Sequence, residues 1–235
     1  MEHKNSFASR IWSGLLAVCL CLTLIPSLAA CDHKKQDDVS DGEEYPVTAG
    51  GVTLEKAPQR IVCLTPSIYA ALDAMGATAA VVGVGSGVDA GGDLPRVGSA
   101  ALPDVKAIAA LSPDLVLTSG ALDTADAQSL ALQEIPVAVI PAVQRYAELE
   151  GYYGQIGQLV SGQKTGAANA AGTAARVQEK VQAVADKVKG QPPVKACLLL
   201  GSKTAAGAET FIGDLLALAG GQNAAGTLEN YHFSD

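Results

Sequence analysis

Histidine and tryptophan are nearly missing from this chain, with 3 and 1 copies in 235 residues. Trp12 and His3 fall in the first thirty residues, His33 sits in a charged stretch, and His232 lies close to the last residue. A Ser-His-Asp site needs a histidine held in a rigid pocket, and a bare zinc or manganese site needs two or more. Neither has a candidate. The 5 cysteines show no CxxC or Cys/His spacing, which removes a structural zinc site. Basic residues are outnumbered, 16 Lys and Arg against 24 Asp and Glu, for a net charge of −8. Nucleic-acid binding needs a basic surface, so no nucleic-acid partner is expected. Asp73, Asp89, Asp104 and Asp114 fall on separate elements and read as caps or solvated charges rather than an acid/base pair. Asp104, between Pro103 and an apolar stretch, suits a helix start. Catalytic residues, metal ligands and cofactors are therefore all expected to be none, and the chain is read as a non-enzyme.

What the chain does have begins at its first residue. Met1–Arg10 carries Lys4 and Arg10, an apolar run covers Ile11–Leu24, and Pro26 precedes Leu28-Ala29-Ala30-Cys31. A charged segment, an apolar core and small residues at a cleavage point make an export signal. Cysteine directly after the small residues resembles a bacterial lipobox, which implies cleavage before Cys31 and lipidation of that residue. The alternative is an uncleaved membrane anchor, but Ile11–Ala30 is barely long enough to span and Pro26 interrupts it. No second run of that length follows. Residues 1–30 are read as a lipoprotein signal and 31–45 as a disordered tether, because Asp32–Glu44 is charged and almost devoid of apolar residues. The protein is then exported and lipid-anchored at the outer face of the bacterial cytoplasmic membrane, touching the membrane through Cys31.

The rest alternates short apolar runs with helical spacing. Val47-Thr48 and Val52–Leu54 flank Ala49-Gly50-Gly51, a hairpin signal. Ile61–Leu64, Val81–Val84, Leu115–Leu117 and Val137–Ile140 read as strands. Ile68–Met75, Asp104–Leu111, Thr124–Gln133 and Tyr146–Val160 read as helices. Fully apolar strands alternating with helices imply a parallel sheet covered on both faces. Lys164–Lys189 is Ala-rich, with Val177, Val181, Val184 and Val188 on one stripe. It predicts a helix of about 39 Å, either a strut between lobes or a surface helix closing one domain. Lys195–Leu200 restarts a strand, and Thr210–Ala219 is a helix ending at Gly220-Gly221. One strand and one helix make no sheet, so either a second lobe is cut short in this chain, which is the reading preferred, or these residues pack onto the first lobe. Cys63 and Cys197, each in an apolar run, are expected to be free core thiols.

Two glycine motifs invite nucleotide chemistry. Gly85-Ser86-Gly87-Val88-Asp89-Ala90 follows a strand and fits G-x-G-x-x-[GA], but Gly91-Gly92-Asp93-Leu94-Pro95 follows where a helix must start. A flexible rim at a strand's C-terminal end is the reading retained. Gly201-Ser202-Lys203-Thr204 lacks the leading glycine and the spacing of a P-loop.

Three landmarks carry a family resemblance. They are Lys56–Val62 with Thr65-Pro66-Ser67, then Arg96-Val97-Gly98 with Ala107–Val116, and then Phe211–Leu216 with Ala219–Asn223. Their order and spacing over residues 46–235 resemble the periplasmic-binding-protein family that serves ferric-siderophore, haem and cobalamin ABC importers. The resemblance implies an α/β fold of two Rossmann-like lobes joined by one long helix: lobe one over 46–163, the joining helix over 164–190, and the start of lobe two over 191–235. It implies a ligand cleft met by Thr65, Pro66, Ser67, Tyr69, Ser86, Asp89, Ser119 and Gly120 from lobe one, and by Gly201 and Ser202 from lobe two. Members often carry a glutamate on the first helix for permease docking. Here that position is Ala70, and Asp73, one turn on, is the substitute.

The reading is thus a lipid-anchored, monomeric solute-binding protein. It captures a ferric siderophore or cobalamin, less readily haem, and hands it to an ABC permease and its ATPase. The rival is a surface lipoprotein of the same fold that docks a membrane partner without a small ligand.

Overall fold

The computed structural model describes residues 44–201, 204–227 and 232–233. The leader, Cys31 and the tether up to residue 43 lie outside the described residues, as does Ser202. Strands β1 (Val47–Ala49) and β2 (Val52–Leu54) form an antiparallel hairpin. Both turn residues, Gly50 and Gly51, have positive φ, 59° and 82°, as a tight two-residue turn requires. Gly50 also lies so close to Ile140 that a Cβ there would stand 2.8 Å from its Cδ1.

The main sheet holds β3 (Ile61–Cys63), β4 (Val81–Val84), β5 (Leu115–Thr118) and β6 (Val137–Val139), all parallel, in the order β4-β3-β5-β6. Alternation persists although every residue of β3 and β5 is buried. Ile61, Cys63, Leu115 and Leu117 point into a core with Ile68, Leu72, Ile156 and Leu159. Val62 and Val116 point the other way, to Ile108 and Leu130. Helices α1 (Pro66–Ala74) and α4 (Leu149–Ser161) cover the first face; α2 (Val105–Ala110) and α3 (Thr124–Ala131) cover the second. Asp104 caps α2, accepting from the Ala107 N–H at 3.0 Å. Asp114 accepts from the Gln59 and Arg60 amides ahead of β3.

The expected joining helix begins differently. A π-turn, Gly162–Gly166, follows α4, and α5 runs Ala167–Val188, about 33 Å. α4 and α5 meet at Gly157 and Gly166, where a Cβ on either would stand 2.5 or 2.1 Å from the other's carbonyl oxygen. The buried side of α5 is Ala170, Thr173 and Ala174. The valine stripe is only half-buried, and Val184 is exposed. Small residues let two helices approach closely, so they, and not the valines, face the core.

The folded region starts before Tyr45. The Glu44 carboxylate accepts from the Lys164 N–H (2.8 Å), the Thr165 N–H and the Thr165 hydroxyl. The Tyr45 hydroxyl donates to the Leu159 carbonyl, and Gln163 donates to the Pro46 carbonyl. A charged residue at the end of a polar run is here the buried cap of the π-turn.

Beyond α5 the expected single strand over Lys195–Leu200 is two. β7 (Val194–Ala196) pairs in parallel with β10 (Gly221–Asn223), whereas β8 (Leu199–Gly201), β9 (Thr204–Ala205) and β11 (His232–Phe233) form an antiparallel sheet. Two small sheets thus stand where none was expected. Helix α6 (Phe211–Leu218), capped by Thr210, packs on α5 and β10. Cys197 is exposed, contrary to the expectation of a core thiol, because the chain changes sheets there; Cys63 is buried as expected, and both are free.

Candidate functional site

In an open parallel sheet, ligands bind outside the carboxyl ends of the strands where the chain order reverses. With the order β4-β3-β5-β6 that point lies between β3 and β5. Thr65 follows β3 and Ser119 follows β5. The Ser119 N–H donates to Thr65 Oγ1 at 3.0 Å, and the Thr65 hydroxyl stands 3.3 Å from Ser119 Oγ. Sequence reasoning singled out both residues, and the structure brings them together. Their side chains are half-buried, while Pro66, Ser67 and Gly120 are exposed.

Thr65 is the N-cap of α1 but makes no side-chain cap to it, and Pro66 opens the helix. Its hydroxyl is engaged with Ser119 instead. The first-turn N–H groups of α1, the positive end of the helix, are therefore not covered by that hydroxyl. Ser67 accepts from the Tyr152 hydroxyl at 3.2 Å. Burial pushes the Tyr152 phenol above its ordinary pKa, with the Ser67 bond opposing, so it stays a neutral donor. Burial likewise pushes the Cys63 thiol up to about 12, so it is no nucleophile.

The loop after β4 forms the next stretch of rim. Gly85 is required there, since a Cβ would stand 2.3 Å from the Leu64 carbonyl oxygen. No helix follows Ala90, which settles the dinucleotide motif against a phosphate cradle. The loop is tied down rather than loose: Arg96 donates to the Gly85 and Val88 carbonyls, and the Tyr69 hydroxyl donates to the Ala90 carbonyl at 3.2 Å. Ser86 and Asp89 are exposed on it. Thus Thr65, Tyr69, Ser86, Asp89, Ser119 and Gly120 share one rim, offering hydroxyls, backbone amides, one aromatic ring and one carboxylate. Gly201 ends β8 in the smaller sheet. Asp73 is exposed near the end of α1. Among the described residues, no group of three or more His, Cys, Asp or Glu is placed to hold a metal, and no helix is long and apolar enough to cross a membrane.

Sequence reasoning missed Arg96, Tyr152, and the pair Arg145 and Asp214. Arg96 opens a landmark, but nothing in that motif says its guanidinium holds a loop. Arg145 donates to both carboxylate oxygens of Asp214, at 3.0 and 2.8 Å, across 69 positions of sequence.

Such a fold, an open parallel sheet with a hydroxyl-lined rim at its switch point, presents its polar loops where folds of this class meet their ligands. Residues 61–234 match the periplasmic binding protein family, and the chain belongs to that family. It is 28% identical to the cobalamin-binding protein of Halobacterium salinarum over 241 aligned positions, which cover 95% of this chain and 62% of that protein. The chain therefore spans less than two thirds of that relative's length. The periplasmic haem-binding protein HutB of Vibrio cholerae superposes with a TM-score of 0.65 at 22% identity, over 75% of this chain and 70% of its own. An ABC-type ferric-hydroxamate transport protein of Saccharomonospora viridis gives 0.61 at 24%, over 81% and 74%. Solved neighbours of this type have two lobes joined by a long helix, and α5 is the longest described helix of this chain.

Proposed function

We propose that this chain is the exported, lipid-anchored binding component of an ABC importer, and that it captures a metal chelate and hands it to the permease. The observation that carries the ligand reading is the Thr65–Ser119 hydroxyl pair at the switch point. Beside it, Tyr69 and the Arg96-held loop after β4 supply an aromatic face and further polar groups. A large chelate with a polar rim needs this kind of surface: apolar contact plus a few fixed donors. Cobalamin is the first ligand to test, because the cobalamin-binding relative aligns with 95% of this chain. A ferric siderophore comes second and haem third, since the rim holds no histidine to ligate haem iron. Asp73 is the proposed contact with the permease, and Cys31 the lipidated residue.

Titration of the purified chain with cyanocobalamin, ferrichrome and haemin, followed by intrinsic tyrosine fluorescence or calorimetry, tests the ligand reading. Saturable binding of one of them, weakened by Thr65→Ala, is the expected result. Binding of none overturns it. Metabolic labelling with palmitate in a bacterial host, lost in Cys31→Ser, is the expected signature of the anchor.

A further inference from the structure

Arg145 ends the loop that follows β6, at the same end of the sheet as Thr65 and Ser119. A single 3-10 turn, Tyr146–Glu148, then leads into α4. Arg145 stands at the N-cap position, yet its guanidinium has no acceptor atom, so it cannot cap the helix it precedes. The missing acceptor comes from α6. Asp214, in the first turn of α6, accepts from the Tyr146 N–H at 2.8 Å and from Arg145 Nε and Nη2. Glu148 accepts from the Gln144 and Arg145 amides. The rings of Tyr146 and Phe211 meet beside the ion pair, centroids 6.3 Å apart and tilted by 40°. A carboxylate in the first turn of α6 thus caps the turn that leads into α4 and bolts the β6 loop to an element beyond α5. It is the one ion pair found among the described residues. Arg145 is 44% exposed and Asp214 19%, and the pair borders a groove of about 470 Å³. Water can therefore receive both charges when they part, so the contact opens without stranding a buried ion.

We propose that Asp214 is a positioning residue for ligand retention. Its bonds to Arg145 and the Tyr146 amide latch the segment after α5 onto the rim of the main sheet, so a captured ligand leaves only after the latch opens. The inference rests on the binding reading above. Three bonds to one ionised carboxylate slow dissociation by about tenfold or more.

The full chain and three variants test it, with cyanocobalamin as probe in stopped-flow and amide hydrogen exchange in the ligand-free protein. Asp214→Asn and Arg145→Gln are each expected to raise the dissociation rate about tenfold while association changes far less. The double variant Arg145→Ser with Asp214→Asn gives the 3-10 turn ahead of α4 a cap of its own but no latch. It is expected to recover the thermal midpoint, yet to keep the fast dissociation and fast exchange in α6. Recovery of slow dissociation in the double variant would show that capping alone matters and overturns the latch. If the wild-type chain binds no cyanocobalamin, the exchange arm still decides: fast α6 exchange in Asp214→Asn and the double variant supports the latch, and unchanged α6 exchange sinks it.

Discussion

Thr65 gives up the usual task of an N-cap threonine in order to hold Ser119. Removing its hydroxyl leaves the Ser119 N–H without its acceptor, so Thr65→Ala is expected to cost about 1 kcal/mol in urea unfolding, besides weakening ligand binding. Gly85 has a sharper requirement. Gly85→Ala drives a methyl into the Leu64 carbonyl and is expected to destabilise by about 1–3 kcal/mol in the same assay. The two described cysteines separate cleanly. Cys63, buried and with a thiol pushed up to about 12, is expected to resist iodoacetamide at neutral pH in the folded protein. Exposed Cys197 is expected to react, and peptide mapping after labelling distinguishes the two.

Among the elements, the π-turn between α4 and α5 depends on a residue that precedes the first strand. The Thr165 hydroxyl, then the Lys164 and Thr165 amides, hold the Glu44 carboxyl below its ordinary pKa against the opposing effect of burial. Because the folded value is depressed, this contribution is fully present above the unfolded carboxylate pKa and is lost as pH falls through the folded one. Thermal midpoints measured from neutral to acidic pH are expected to drop for the wild type in that window. Glu44→Gln is expected to start lower at neutral pH and to lose less on acidification. Elements with strong local patterns were legible in the sequence: the apolar runs of β3 and β5, the Gly50-Gly51 turn, the Asp104 cap. Pattern failed where geometry is set by distant partners. Glu44 looked like tether because its acceptors' donors lie 120 positions away. The valines of α5 looked like its core stripe, but the close approach at Gly157 and Gly166 puts alanines inside. Cys197 looked buried because an apolar run says nothing about a break between two sheets. At the rim, the family resemblance put Thr65 and Ser119 on loops at strand ends, and the parallel order of β3 and β5 brings those two loops together. The role of Arg96 was invisible, since a guanidinium donating to backbone carbonyls leaves no motif.

Across the molecule, stability is unevenly spread. The parallel sheet is sealed on both faces, whereas Val194 and Leu199 beyond α5 are 70% and 72% exposed. Amide hydrogen exchange is expected to find its slowest sites at Val62, Val116 and Leu117, and much faster exchange across β7 and β10. Comparable protection in both regions would contradict this. The two-region picture also sets the demands on binding. The rim is built on the rigid sheet, and the softer part is joined to it by α5 and by the Arg145–Asp214 contact.

The Glu44 strap has a mechanical consequence. A pull transmitted along the chain from its N-terminal side reaches the Glu44–Thr165 and Tyr45–Leu159 bonds before it reaches β1. Load is then shared by several bonds into a packed helix pair, sparing a hairpin of three-residue strands that would otherwise unzip one rung at a time. In a force-extension experiment with the handle at the N-terminal end, Glu44→Gln is expected to lower the first rupture force and to release the hairpin in the same event.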